Sequence, residues 1–339
     1  MASTTKIMTA IIFLENGGLN KKVVYTKYAF QTPFGNMHFP IGTTLSATDA
    51  LKGMLIPSSN DLATAVALSI CDEKTFVEKM NQKAKVLGMK NTHFVNVHGL
   101  DAKNHYSTCY DLAILGSYAM KNSTFRDCMK PKATIKLNIK NTTKNKIVTS
   151  TFKNFYSFPG ALGVKTGTTK GAGKCFVGYV KRDNIPIITT VLGDDDAVQE
   201  TKAIVNYTFR HCQYETILRP GEKYEMTFGK KKISVKPGDF VKVFVDPKEV
   251  KLKHEIVPVC HYPIAKNSLV GYVKVFDGER LICKKPVYSM KTYLGTGFDY
   301  FFIIFVLCVV GLIFYLDNKT FCHRIIRHLV EFYKSKFVK

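Results

Sequence analysis

Three short stretches carry side chains that could do chemistry together. Ser3-Thr4-Thr5-Lys6 sets a hydroxyl and an amine three residues apart, on one face and one turn apart if the chain is helical here. A free serine hydroxyl is a weak nucleophile, but an amine can act as its base when burial and a second cation depress the amine's pKa. Ser58-Ser59-Asn60 follows Pro57 in a turn. A hydroxyl and an amide two residues apart on a tight turn can point into one cleft, and the same letters also make an ordinary helix-capping turn. Gly163-Val164-Lys165-Thr166-Gly167-Thr168-Thr169 reads as a strand on which Lys165 and Thr166 alternate faces, with Gly167 admitting close approach of backbone or substrate. A lysine and a hydroxyl at a strand edge suit a carboxylate. None of the three is specific alone: Ser150-Thr151-Phe152-Lys153 repeats the first spacing and is read as having no role.

The elements that must position these groups follow from caps and periodicity. Ser46-x-x-Asp49 is a capping box for a helix that ends before Pro57, and Asn60-Asp61 opens the apolar run 62–68, a buried helix. Residues 72–87 place Phe76, Met80, Ala84 and Leu87 on one face, with Gly88 as the stop. Thr108-x-x-Asp111 caps a fourth helix. Beyond Gly160 the pattern turns to strands: 175–180 and 185–192 flank Lys181-Arg182-Asp183-Asn184 as a hairpin, and 200–209 returns to helix. From about 216 to 288, short strands are punctuated by Pro220-Gly221, Pro237-Gly238 and Asp277-Gly278, the pattern of a small β-domain without a catalytic constellation.

The chain has 339 residues, enough for one large core and a second, smaller domain, and its 46% hydrophobic content is that of a globular protein. The net charge of +23 invites a nucleic-acid reading. The lysines, however, are spread along the chain with no recognition module, so the surface is read as facing lipid head groups or wall polymers, and no nucleic-acid partner is expected. Nine cysteines, none in a CxxC pair, exclude a complete disulfide framework and a paired metal site; whether Cys260 and Cys283 bond to each other stays open. Residues 300–316 are uncharged and apolar with Tyr300, Phe301 and Phe302 at one end and Phe314 and Tyr315 at the other. This is the short end of the roughly 17–25 residues needed to cross a bilayer. Lys319, Arg324, Arg327, Lys334, Lys336 and Lys339 after it, against Lys284, Lys285 and Lys291 before it, put the tail in the cytoplasm and the rest outside. Phe321, Ile325, Leu329 and Phe332, interleaved with the tail's basic residues, suit the membrane surface.

Taken in order, the three stretches resemble the S-x-x-K, S-x-N and K-T-G set of the penicillin-binding serine enzymes. The segments Ala2–Ala10, Asn91-Thr92-His93-Phe94-Val95-Asn96, His98-Gly99-Leu100 and His105-Tyr106-Ser107-Thr108 look like D-alanyl-D-alanine carboxypeptidases of the low-molecular-weight class. The resemblance covers about 1–215 specifically and the remainder more loosely. It implies an α/β (α+β) fold: a β-lactamase/transpeptidase-like domain with an antiparallel sheet and a helical subdomain over 1–215, a small all-β domain over 216–290, a C-terminal transmembrane helix over 299–317 and a basic tail over 318–339. It further implies that Ser3 attacks the carbonyl between two D-alanines, Lys6 takes its proton, Ser58 relays that proton to the leaving amine, and Asn60 bonds the substrate amide. Lys165 and Thr166 would hold the terminal carboxylate, Gly167 would let substrate approach, and the N–H groups of Ser3 and Thr168 would form the oxyanion hole. Peptidoglycan stem peptides are then the substrates, β-lactams the inhibitors and membrane lipid a partner, with no metal or organic cofactor. His98 and His105 suggest a triad but are expected to fix loops around the cleft.

Two departures from the family pattern stand out. Members usually carry a signal peptide and two strands before the nucleophile helix, whereas this sequence starts two residues before Ser3, so the native protein is expected to be longer, with its start assigned to an internal Met. An arginine expected just before the helix that follows the last sheet strand is replaced, at the corresponding place, by Gln199. Two other readings remain: a class A β-lactamase, for which the expected Glu-x-x-Leu-Asn loop is not found, and a catalytically inactive membrane-tethered wall-binding protein.

Overall fold

A computed structural model describes residues 1–34, 37–130, 132–140, 145–229, 231–293, 301, 304–310 and 327–331. The chain divides into two compact units, Met1–Arg210 and His211–Lys339. The strand Gln213–Leu218 therefore goes with the second unit instead of ending the first.

The first unit is built around one helix. Lys6–Glu15 buries Ile7, Met8, Ala10, Ile11, Ile12 and Phe13, so it is apolar on nearly every side and must be surrounded. Around it pack Asn60–Leu68, Glu73–Val86 and Cys109–Ala119. The capping signals read at Ser46 and Thr108 are the caps found, and Asp72 caps the helix that the apolar periodicity located. Ser46 accepts from the Asp49 N–H at 3.1 Å, Asp72 from Thr75 at 2.9 Å and Thr108 from Asp111 at 3.2 Å. Gly53 lets helix Ala47–Leu55 lie against Asn60–Leu68, since a methyl there would sit 2.5 Å from Leu62 Cδ1.

Against the helices lies an antiparallel three-stranded sheet ordered Lys165–Thr169, Gly173–Arg182, Ile185–Leu192. The second and third strands join through Asp183 and Asn184, both at positive φ (48° and 63°), a two-residue turn whose twist matches the strands it links. Side chains alternate across the central strand. Val177 meets Gly116 of helix Cys109–Ala119, while on the opposite face Gly178 meets Thr201 of the final helix, Ala197–His211. The sheet is thus covered on both faces, with Lys165–Thr169 at an edge. The mixed α/β architecture is as expected. Smaller pairings complete the unit: Thr44–Ser46 between Lys22–Val24 and Ile139–Lys140, and Thr134–Leu137 with Lys146–Thr149.

The second unit is built of β-strands from Gln213 to Ser289. Five strands follow the order Tyr224–Phe228, Lys231–Pro237, Arg280–Ser289, Leu269–Asp277, Leu252–Pro258, and Val241–Val245 pairs with Gln213–Leu218. Its core is Leu218, Met226, Ile233, Val235, Val270, Val273, Val275 and Val287. Cys260 and Cys283 are both free thiols. Most of the apolar span at 299–317 and of the basic tail at 318–339 lies outside the described residues. Among those described, no helix is long and apolar enough to cross a membrane.

Candidate active site

The chain enters helix Lys6–Glu15 through a 3-10 turn, Ala2–Thr5, rather than starting an α-helix at Ser3. In a 3-10 turn residues i and i+3 eclipse. Ser3 and Lys6 are therefore stacked, and Lys6 Nζ donates to Ser3 Oγ at 2.8 Å. The lysine side chain is wholly buried. Its other contacts are Asn60 Oδ1 at 2.7 Å and the His98 carbonyl at 2.7 Å. Burial drives its pKa well below the usual lysine range, the charge of Lys165 adds to that fall, and Asp61 opposes it.

Ser58, Ser59 and Asn60 divide their work. Ser59 caps helix Asn60–Leu68 and donates to buried Asp61. Asp61 also accepts from Tyr25 OH and from the Met37 N–H at 2.7 Å. Asn60 points its oxygen at Lys6 and donates its amide N–H groups to the carbonyls of Pro33 (3.0 Å) and Phe34 (2.6 Å), which fixes the orientation of the amide. Ser58 adopts a left-handed φ of 68°, a strained conformation for a serine, and lines the cleft beside Ser3.

The edge strand closes the other side. Gly167 lies against the turn that carries Ser3: an added methyl would stand 2.6 Å from Ser3 N and 2.9 Å from Ala2 Cβ. Lys165 is fully buried, donates to the Thr166 carbonyl at 2.8 Å, and has its pKa pulled down to about 7 by burial. Thr166 and Thr168 face a cleft of about 420 Å³ shared with Ser3 and Ser58. All of the residues singled out from the three sequence stretches thus surround one place: Ser3, Ser58, Thr166, Gly167 and Thr168 line the cleft, and Lys6, Asn60 and Lys165 lie behind it.

His98 and His105 serve as supports. Asn96 Oδ1 accepts from the Gly99 N–H at 2.7 Å, a turn that aims the His98 carbonyl at Lys6. Only glycine fits at position 99, where φ is +92° and a methyl would sit 2.0 Å from the Ala2 carbonyl oxygen. His105 accepts the Val95 N–H at Nδ1 (3.1 Å), which leaves Nε2 to donate to Thr5 Oγ1 at 2.9 Å, and Thr5 in turn bonds the Ala2 carbonyl. Burial lowers the pKa of His98 to about 3 and of His105 to about 4, so both rings are neutral near pH 7.

Several cleft residues were not foreseen. Thr151, from the stretch read as having no role, pairs its hydroxyl with that of Thr166 at 2.6 Å and is tied by its N–H to the Ile56 carbonyl. No local signal marks it, since its place depends on chain pairing with a segment almost a hundred residues away. Lys174 lines the cleft from the strand opposite Thr168. The final helix meets the cleft through Ala197 and Val198, preceded by Asp195 and Asp196, while Gln199 is exposed and not among the lining residues.

Comparison with known proteins decides what these residues belong to. The family described as D-alanyl-D-alanine carboxypeptidase matches residues 1–196. The chain belongs to that family. It is 29% identical over 327 residues to the D-alanyl-D-alanine carboxypeptidase DacF of Bacillus subtilis (strain 168), covering 88% of this chain and 80% of that one. The crystal structure of the Streptomyces K15 DD-transpeptidase superposes with a TM-score of 0.56 at 32% identity, over 62% of this chain and 87% of that one. The D-alanyl-D-alanine carboxypeptidase DacD of Francisella tularensis matches 87% of this chain and 88% of its own at a TM-score of 0.65 and 23% identity, a likeness of fold.

Proposed function

We propose that this carboxypeptidase-family chain is a serine-type D-alanyl-D-alanine carboxypeptidase that removes the terminal D-alanine from peptidoglycan stem peptides through an acyl-enzyme on Ser3. The observation that carries the reading is the 2.8 Å contact between Ser3 Oγ and a buried Lys6 whose pKa is depressed. A neutral amine takes the hydroxyl proton as Oγ attacks the carbonyl of the penultimate residue. The N–H groups of Ser3 and Thr168 receive the developing oxyanion. Ser58, beside Ser3, passes the proton to the departing amine, which leaves as free D-alanine. Water attacks the ester, its proton returns through Lys6, and Ser3 is regenerated. Asn60, with its amide held by two carbonyls, keeps Lys6 aimed. Thr166 and Lys165 lie at the carboxylate end. β-Lactams acylate Ser3 by the same attack but release no leaving group.

The apolar span at 299–317 supports a second element of the proposal: a single C-terminal membrane anchor, with the catalytic unit outside the cell and the basic tail at 318–339 on the cytoplasmic side of a bacterial membrane.

The test is D-alanine release from a defined stem pentapeptide, run alongside covalent labelling by a fluorescent penicillin. Ser3→Ala should lose both. Persistent labelling of that variant refutes Ser3 as nucleophile. An acceptor amine in the assay separates hydrolysis from the transfer implied by the name of the Streptomyces K15 enzyme.

A further inference from the structure

We propose that Lys174 is the cation that receives the carboxylate of the leaving residue, a role resting on the reading of Ser3 given above. Thr168 and Lys174 are direct cross-strand partners, so their side chains stand side by side on one face, about 5 Å apart at Cβ. That face lines the cleft holding Ser3 and Thr166. Lys165 is fully buried and bonded to the Thr166 carbonyl, which leaves Lys174 as the one cationic side chain lining the cleft among the described residues. Its ammonium is held in place by the Asp195 carbonyl at 2.5 Å and makes no ion pair with an acid among the described residues, so its charge is available to a ligand.

The acidic surroundings would otherwise oppose an anion. Asp195 and Asp196 border the same cleft, where Ala197 and Val198 begin the final helix, and their carboxylates repel an incoming anion. Asp196 caps that helix, accepting from Gln199 N at 3.3 Å, and so stays where it is. Lys174 lines one cleft with these acids and with the paired Thr151 and Thr166 hydroxyls, so a carboxylate bound there can take a charge-assisted bond from Lys174 and a second bond from Thr166.

The test compares hydrolysis of one peptide ending in D-Ala-D-Ala as the free acid and as the C-terminal amide, in the full chain and in Lys174→Met and Lys174→Arg. The ratio of kcat/KM for acid over amide should fall about tenfold in Lys174→Met, chiefly through KM, and return in Lys174→Arg. A ratio that stays at the wild-type value, or an equal fall on both peptides, overturns the assignment while leaving Ser3 untouched. Failure of the unaltered protein to be labelled by penicillin removes the nucleophile reading itself, and this one with it.

Discussion

Gly167→Ala tests the closeness of the edge strand to the nucleophile. The added methyl would stand 2.6 Å from Ser3 N, 2.9 Å from Ala2 Cβ and 3.2 Å from Thr4 N. Two of these are backbone atoms, which no change of rotamer can move. Recovering ordinary contact requires the strand and the Ala2–Thr5 turn to part by about 0.8 Å, close to the size of misplacement that costs about a hundredfold in rate. Overpacking of this kind destabilises by about 1–3 kcal/mol. In a unit of this size that lowers the melting temperature by roughly 2–12 °C, so the protein remains folded at 25 °C. The second-order rate of acylation by a fluorescent penicillin should therefore drop about a hundredfold in a protein that still melts cooperatively. Acylation within about threefold of the unaltered protein would refute the view that this contact sets the position of Ser3.

Other expectations follow from the same geometry. Lys165→Ala should slow penicillin labelling and move the acidic limb of its pH profile upward, because the charge that helps depress the Lys6 pKa is gone, whereas His98→Ala should leave labelling measurable. Thr151→Val, which strips Thr166 of its hydroxyl partner, should raise KM for the free-acid peptide about two- to tenfold, the worth of one hydrogen bond. His98 and His105 have folded pKa values of about 3 and 4, below the unfolded value of 6.5. Between these limits the unfolded chain binds more protons, so stability is complete above about pH 6.5 and falls as the pH drops, with each ring contributing up to about 1.4 kcal/mol per pH unit. Melting curves from pH 7.5 to 4.5 check this, and His105→Gln should flatten the slope; a melting temperature independent of pH would count against it.

The parts of the site legible in the sequence are those whose geometry is local. Ser3 and Lys6 are three residues apart, and every backbone that turns once brings them together, although the sequence reading did not anticipate the 3-10 turn that stacks them. Capping patterns at Ser46 and Thr108 located helices because one side chain bonds one nearby N–H. Long-range pairing was not legible. Thr151 is placed by its bond to Ile56. Ser150 is buried and accepts from the Phe152 N–H, and Lys153 sits in a 3-10 turn, so that repeat of the first motif forms no second centre. Gln199 was singled out as the place of the family's arginine just before the last helix, but it lies within that helix, and Ala197 and Val198 are the helix residues that line the cleft. Lys174 was passed over because a lysine in a strand of a lysine-rich chain has nothing to distinguish it until the register sets it beside Thr168.

The three partners of Lys6 also decide where its proton can come from. A charged amine has three N–H groups, and here Ser3 Oγ, Asn60 Oδ1 and the His98 carbonyl accept one each. When the amine loses a proton it keeps two. Asn60 Oδ1 and the His98 oxygen can only accept, so they retain those two, and the vacated lone pair has a single direction left, toward the Ser3 hydroxyl. The base is thus aimed by two groups that never exchange a proton themselves.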